Sequence, residues 1–306
     1  MPSPKLRVAS VPYLVGRPVD EGLAREPGIE FTRAVPARLA RGLADGSLDV
    51  ALVSSIELFR LPGASFLDGP CIAGNGRVSS VQVFLRRPVQ EVRSLAVDPA
   101  SRTSAVLAEI VWPARRPELV LVPEGVDPRS VPADAWLRIG DAALREHLAE
   151  GSPPVFNPSE AWRARTGLPF VFALWVARAG IELEPWAAVF LRSRALGAAR
   201  MQALADEAAS AWSVAPAATR RYLFEECLFE PGARLVPALF AFRDAAAALG
   251  LARGDLDPVG VGAPRSSVAL GPPGSSPAPS SSPSSFLVHD RTEERKRAGL
   301  GPGVPG

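Results

Sequence analysis

The sequence predicts an α/β fold, with short strands and helices alternating around a mostly parallel sheet. Three observations carry that expectation. From Lys5 to about Ala177, β-branched runs alternate with Ala- and Leu-rich helical patterns, as successive βα units do. The 306 residues are 47% apolar, enough to bury a core in one or two domains. After Glu184 the pattern is helical only, so the sheet is expected to be complete by then.

Strands are expected at Arg7 to Val11, Ile29 to Arg33, Asp49 to Val53, Ser80 to Leu85, Ser94 to Val97, Leu119 to Val122, Trp136 to Ile139 and Phe170 to Val176. The stretch Val8 to Gly16 follows Lys5 and Arg7, but it is short, contains Pro12 and runs into Arg17. It therefore reads as the first strand rather than as a secretory h-region. Pro36 opens a helix over Ala37 to Ala44, and Gly46 can stop it. Ser54 and Glu57 stand at the S-x-x-E spacing of a capping box just after a strand. Ser101 precedes a helix that runs to about Val111, and Asp141 can cap Ala142 to Leu148. Phe170, Phe172 and Leu174 alternate as a strand does, which suits core packing and leaves one aromatic free to face a ligand. Helices follow at Trp186 to Ala209, Pro216 to Cys227 and Arg234 to Leu249. Residues Ala263 to Ser285 hold six Pro, nine Ser and two Gly in 23 positions, too few apolar groups to offset chain entropy. The charged run Asp290 to Arg297 reads as solvated, so disorder is expected for 263–306.

Charge and chemistry narrow the function. Thirty-four Lys plus Arg against 32 Asp plus Glu leave a formal charge of +2, too small a field to draw in nucleic acid or an anionic membrane. No run approaches the roughly 18 apolar residues of a membrane span, and a cytoplasmic, soluble protein is expected. Cys71 and Cys227 have no partner at C-x-x-C spacing, which argues against a disulfide scaffold or zinc site. His147 and His289 are the only histidines, so Ser/His triads and His-rich metal sites lack their parts. The phosphate-binding GxxxxGK[ST] and GxGxxG motifs, the GxSxG elbow and HExxH are all absent.

What remains is a set of hydroxyl-rich turns at the C-terminal ends of expected strands, where open α/β sheets place their ligands. Ser54 and Ser55 follow one strand, Ser101 to Ser104 a second and Asp141 a third. Free N–H groups, hydroxyls and the Arg102 guanidinium at one helix start suit a carboxylate ligand. A plainer account has Ser101 as a cap with Arg102 solvated, and has Ser54 and Glu57 explained by the capping box alone.

These residues lie in five segments that resemble the chorismate dehydratases of the futalosine route to menaquinone. The segments are Val11-Pro-Tyr-Leu14, Asp49-Val-Ala-Leu-Val-Ser-Ser-Ile-Glu57, Asp98-Pro-Ala-Ser-Arg-Thr-Ser104, Ile139-Gly-Asp-Ala-Ala-Leu144 and Thr166-Gly-Leu-Pro-Phe-Val-Phe-Ala-Leu-Trp175. They occur in the family's order across roughly residues 5 to 250. The resemblance implies a two-lobed fold like that of type II periplasmic binding proteins, the Venus flytrap. Residues 1–90 and 178–262 would form one lobe and 91–177 the other. It also implies loss of water from chorismate to give 3-[(1-carboxyvinyl)oxy]benzoate. A substrate carboxylate would serve as base, and aromatisation would drive the reaction without metal or redox cofactor. On this reading Arg102, Thr103 and Ser104 hold one carboxylate. Ser54 and Ser55 take the second carboxylate or the ring hydroxyl, and Tyr13, Ser79, Ser80 and Asp141 complete the candidate set. Small-molecule substrate aside, no partner is implied, and the oligomeric state is left open.

Two departures stand out. The family's first strand continues Y-L-N, but here Tyr13-Leu14 is followed by Val15, which can neither donate nor accept a hydrogen bond. Asn157-Pro158 stands where the family tends to show Asp-Leu. Two rival readings therefore stay open: the related 1,4-dihydroxy-6-naphthoate synthase, and a non-catalytic carboxylate-binding protein that kept the lobes and lost the chemistry.

Overall fold

Two mixed sheets, rather than one mostly parallel sheet, organise the chain in a computed structural model that describes residues 5–98 and 100–262. In chain order the strands are β1 (Leu6–Ser10), β2 (Ile29–Arg33), β3 (Val50–Ser54), β4 (Ser65–Gly74), β5 (Val81–Leu85), β6 (Ser94–Val97), β7 (Glu118–Leu121), β8 (Ala135–Ile139), β9 (Val155–Phe156), β10 (Phe170–Ala177), β11 (Cys227–Leu228) and β12 (Val259–Val261). The helices are α1 (Arg17–Asp20), α2 (Pro36–Asp45), α3 (Arg102–Val111), α4 (Gly140–Leu148), α5 (Pro158–Thr166), α6 (Ala187–Trp212), α7 (Pro216–Arg221) and α8 (Leu235–Ala247). The tail expected to be disordered, 263–306, lies outside the described residues. No helix among the described residues is long and apolar enough to cross a membrane.

The first sheet runs β11-β4-β10-β3-β1-β2, with β12 also on β4; the second runs β7-β6-β8-β5-β9. The βα pattern is kept where it was read: β1 pairs in parallel with β2 and β3, and β6 with β7 and β8. Antiparallel pairing enters with the strands that carry the chain between sheets. β10 runs antiparallel to β3 and β4, and β5 to β8 and β9. Thus β5 belongs to the second sheet and β10 to the first, and the chain passes between the sheets at 75–80 and 157–169.

β4 escaped the sequence reading because Asp68-Gly69-Pro70 looks like a turn. Those residues sit in a bulge: between the pairs Leu174↔Cys71 and Val176↔Phe66, β10 advances two residues and β4 five. A bulge accommodates a proline that lacks an N–H for the ladder. The expected helix Pro216 to Cys227 is also corrected. It stops at Arg221, a single π turn spans Tyr222–Glu226, and β11 follows, so strands do continue past Glu184.

Local chemistry explains the elements that hold. Pro36 occupies the first turn of α2, and Gly46 ends it in the left-handed region at φ 75°. Asn157 caps α5 by accepting the Glu160 N–H, with Pro158 next to it. The central strands are fully buried: Val8, Ala9 and Val50 to Val53 expose nothing. Phe170 of β10 packs edge-on with Trp162 and Phe242, its ring centroid 5.0 Å from that of Phe242. On the second sheet Phe84 and Trp136 pair across β5 and β8 and stack at 5.5 Å. Asp49 ties β1, β3 and the end of β10 together, taking Arg7 at 2.7 Å and Arg178 at 2.8 Å. Burial works against its charged form, but the two guanidinium bonds win and hold the carboxyl at about 2.

Candidate functional site

Parallel strands of both sheets end at one place, and their following turns enclose a cleft. Its walls come from the end of β1 (Val11, Tyr13, Val15), the end of β3 (Ser54), β4 (Ile72, Ala73), the first crossing (Val78, Ser80), the start of α3 (Ala100, Arg102, Thr103, Ser104), the end of β8 (Ile139, Gly140), β10 (Phe172, Ala173) and Cys227. The empty space between these walls, counted together with the open solvent at the mouth, is about 570 Å³. Past Tyr13 and Ala100 the mouth widens into a polar groove that includes Arg38, Arg41, Asp98 and Glu124.

The α3 side is the polar wall. The N–H groups of Arg102, Thr103 and Ser104 have no partner inside the helix, and the first ladder bond runs from the Ala105 N–H to the Ser101 carbonyl at 2.7 Å. The positive end of the helix dipole therefore faces the cleft together with a guanidinium. Arg102 is not solvated at random: its Nε donates to the buried Glu57 carboxylate at 2.5 Å, and its side chain makes no other hydrogen bond among the described residues. The terminal guanidinium nitrogens remain available for a ligand. Glu57 also takes Arg60 at 3.4 Å. The capping box expected of Ser54 and Glu57 is thus absent, because Ser55–Phe59 forms a 3-10 turn in which the buried Glu57 carboxylate pairs with the two arginines instead. Ser101 occupies the position before α3 without a side-chain cap, and its buried hydroxyl has no partner among the described residues.

The candidate residues divide into two groups. Tyr13, Ser54, Ser80, Arg102, Thr103 and Ser104 line the cleft, and Ser54 and Ser104 keep their hydroxyls free of any protein partner among the described residues. Thr103 lines it too, but its Oγ1 accepts the Ile56 N–H at 3.1 Å, which stitches α3 to the turn after β3. Ser55, Ser79 and Asp141 serve the scaffold. Ser55 donates to the Val171 carbonyl at 2.6 Å, and Ser79 gives its N–H and hydroxyl to Glu226 at 2.7 and 3.0 Å. Asp141 does not cap its own helix: it accepts the Leu14 N–H at 2.9 Å, 127 residues away, and burial raises its carboxyl above the usual value against that bond and Arg145.

The β1 side is the apolar wall. Val15 lines the cleft, as the sequence departure implied it would, and adds a methyl surface where an amide was expected. Tyr13 lies against Gly140, whose φ is 66°; a Cβ there would meet the tyrosine ring at 2.8 Å, so the close approach requires glycine. Burial first, then Asp98 and Asp141, push the Tyr13 phenol up to about 12. Burial likewise drives the Cys227 thiol upward. Of the expected strand aromatics, Phe172 faces the cleft while Phe170 stays in the core. The second departure is scaffold: Asn157 Nδ2 reaches the Val78 and Val81 carbonyls and Gln82 Oε1 at 3.0 to 3.2 Å, binding the two crossings together.

Sequence reasoning missed Cys227, Ile72, Val78 and, behind the wall, Tyr222. No local signal marks them: Ile72 lies on β4, Val78 on the crossing that follows it, and Tyr222 and Cys227 are placed by β11 and its pairing with β4.

Comparison with known proteins gives a consistent picture. A family model described as menaquinone biosynthesis matches residues 6–248. A chorismate dehydratase from Thermus thermophilus is 31% identical over 248 residues, covering 70% of this chain and 88% of that protein. A chorismate dehydratase from Campylobacter jejuni is 31% identical over 161 residues, covering 53% of this chain and 58% of that protein. Among solved structures, a protein from Archaeoglobus fulgidus aligns with a TM-score of 0.69 at 18% identity, covering 82% of this chain and all of that one. The alkanesulfonate-binding protein of Xanthomonas axonopodis pv. citri aligns at 0.58 and 15% identity, over 81% and 94% of the two chains. A Candida albicans protein described as having the generic periplasmic binding protein fold aligns at 0.51 and 12%, over 81% and 90%. The fold is that of the periplasmic binding proteins.

Proposed function

Because this chain belongs to the menaquinone-biosynthesis family that includes the chorismate dehydratases, we propose that it binds chorismate in the cleft and eliminates water from it. The product is 3-[(1-carboxyvinyl)oxy]benzoate and the reaction class is that of a carbon-oxygen hydro-lyase. The observation that carries the reading is the start of α3: free N–H groups and a guanidinium fixed by Glu57 open onto a cleft that is otherwise largely apolar. Such a seat suits a carboxylate on a small hydrophobic ring.

The ring loses a proton from carbon and hydroxide from its neighbour, and the electron pair of the C–H bond completes the aromatic sextet. Among the lining residues the ionisable groups are Tyr13, Arg102 and Cys227. Burial keeps Tyr13 and Cys227 protonated at neutral pH, and Arg102 is cationic, so none of the three is a base there. That chemistry supports a carboxylate of the substrate as the proton acceptor, held in place by the wall that binds it. Ser54, Ser80 and Ser104 are then donors for the remaining oxygens, including the departing hydroxyl. The two sheets correspond to two lobes, 6–74 with 170–262 and 81–156, which enclose the substrate from both sides. A cytoplasmic setting accords with a soluble metabolite as substrate.

The test is incubation of the purified protein with chorismate, followed by chromatography with mass detection. A product lighter by one water is expected from the natural chain. Conversion by Val15→Asn alone would instead make the natural chain a binding protein, and no conversion by either would overturn the reading.

A further inference from the structure

The π turn Tyr222–Glu226 reaches both serines of the first crossing, and it does so from behind the cleft wall. Glu226, at its end, holds the N–H and hydroxyl of Ser79. Tyr222, at its start, is 1% exposed and donates its phenol hydrogen to Ser80 Oγ at 2.8 Å. Single π turns often mark functional places, since the extra residue re-aims the side chains around it. Here the re-aimed groups meet a serine that lines the cleft, and the residue after the turn, Cys227, lines it as well.

A serine hydroxyl has one hydrogen and two lone pairs. With a lone pair of Ser80 occupied by the Tyr222 phenol, the Ser80 hydrogen is left to point elsewhere. We propose that Tyr222 is a positioning residue: its phenol locks the Ser80 hydroxyl so that it donates a hydrogen bond into the cleft, to an oxygen of the bound ligand. This deepens the assignment of the cleft to chorismate and rests on it. A phenol that donates also polarises the hydroxyl it binds, which strengthens the bond that hydroxyl makes in turn. Glu226 acts alongside by pinning the adjacent Ser79, so the crossing cannot rotate Ser80 away.

The test is a double-variant cycle with kinetics and crystallography. Tyr222→Phe keeps the ring and removes only the hydroxyl. In the natural background it is expected to lower kcat/KM about tenfold, the size of one lost hydrogen bond. In a Ser80→Ala background it is expected to change nothing further. A purely structural role would cost the same in both backgrounds, and that result, or no loss in the natural background, would overturn the proposal. Crystals of Tyr222→Phe supply the readout that needs no turnover: Ser80 is expected to populate more than one rotamer, against one in the natural protein. An unmoved, single Ser80 rotamer would overturn the positioning role. Failure of the natural protein to bind or convert chorismate would sink the functional reading alone, since the rotamer comparison is made without ligand.

Discussion

The two walls of the cleft are built on opposite plans. On the α3 wall three of the polar groups that face the cleft are held from behind, Arg102 by Glu57, Thr103 by the Ile56 N–H, and Ser80, at the crossing beside it, by Tyr222, while Ser104 keeps its hydroxyl free among the described residues. On the β1 wall Val11 and Val15 offer only hydrocarbon, and the one polar side chain, Tyr13, is packed flat against Gly140. The difference separates two tasks. Directional bonds come from the wall whose donors are already oriented, while the apolar wall excludes water and strengthens those bonds by lowering the local dielectric. Changes on the first wall should therefore cost direction and binding, and changes on the second should cost shape.

The largest effect is expected from Glu57→Ala. It strands Arg102 and Arg60 without their shared carboxylate, and breaking a buried pair costs several kcal/mol; with both arginines a third exposed, a loss of about 3 kcal/mol is expected in urea unfolding. A loss below about 1 kcal/mol, the level of a surface pair, would mean that the α3 wall is not preorganised. Next comes Arg102→Ala, expected to weaken binding of the dehydrated product by about 1.5 to 3 kcal/mol in calorimetry, the worth of a charge-assisted hydrogen bond. Unchanged affinity would move the carboxylate off this wall.

On the apolar wall, Gly140→Ala is expected to cost about 1 to 2 kcal/mol of stability, because the left-handed backbone and the tyrosine ring both resist a Cβ. Thermal unfolding at neutral pH measures it, and a neutral result would show that Tyr13 is free to swing away. The smallest effect is that of Tyr13→Phe, below about 1 kcal/mol in product affinity, since its phenol makes no hydrogen bond among the described residues. Its pH signature is more telling. The phenol loses its proton near 10 when unfolded and at about 12 when folded, so it lowers stability as pH rises from 10 towards 12. Tyr13→Phe should remove that share of the alkaline loss, and identical alkaline unfolding of the two proteins would contradict the burial of Tyr13.

Much of this comparison was visible in the chain before it folded. β2 and β6 fall where β-branched runs put them, α2 begins at Pro36, and α3 begins just after Ser101, because those elements are specified by neighbours a few residues apart. What stayed hidden depends on distant partners. Glu57 sits at cap spacing from Ser54 yet pairs with Arg102, 45 residues on. Ser79 reads as a site hydroxyl yet binds Glu226, 147 residues on. β11 is two residues long and exists through its pairing with β4, and β4 itself was masked by Asp68-Gly69-Pro70 in its bulge. Spacing along the chain locates a serine at a strand end; it does not say whether its hydroxyl faces a cleft or a carboxylate behind it.

The most direct measurement is a crystal structure with 3-[(1-carboxyvinyl)oxy]benzoate bound. The account predicts one carboxylate on the first N–H groups of α3 within hydrogen-bond reach of Arg102, with the ring against Val11 and Val15. A product bound with both carboxylates away from Arg102, or outside the cleft altogether, would contradict it.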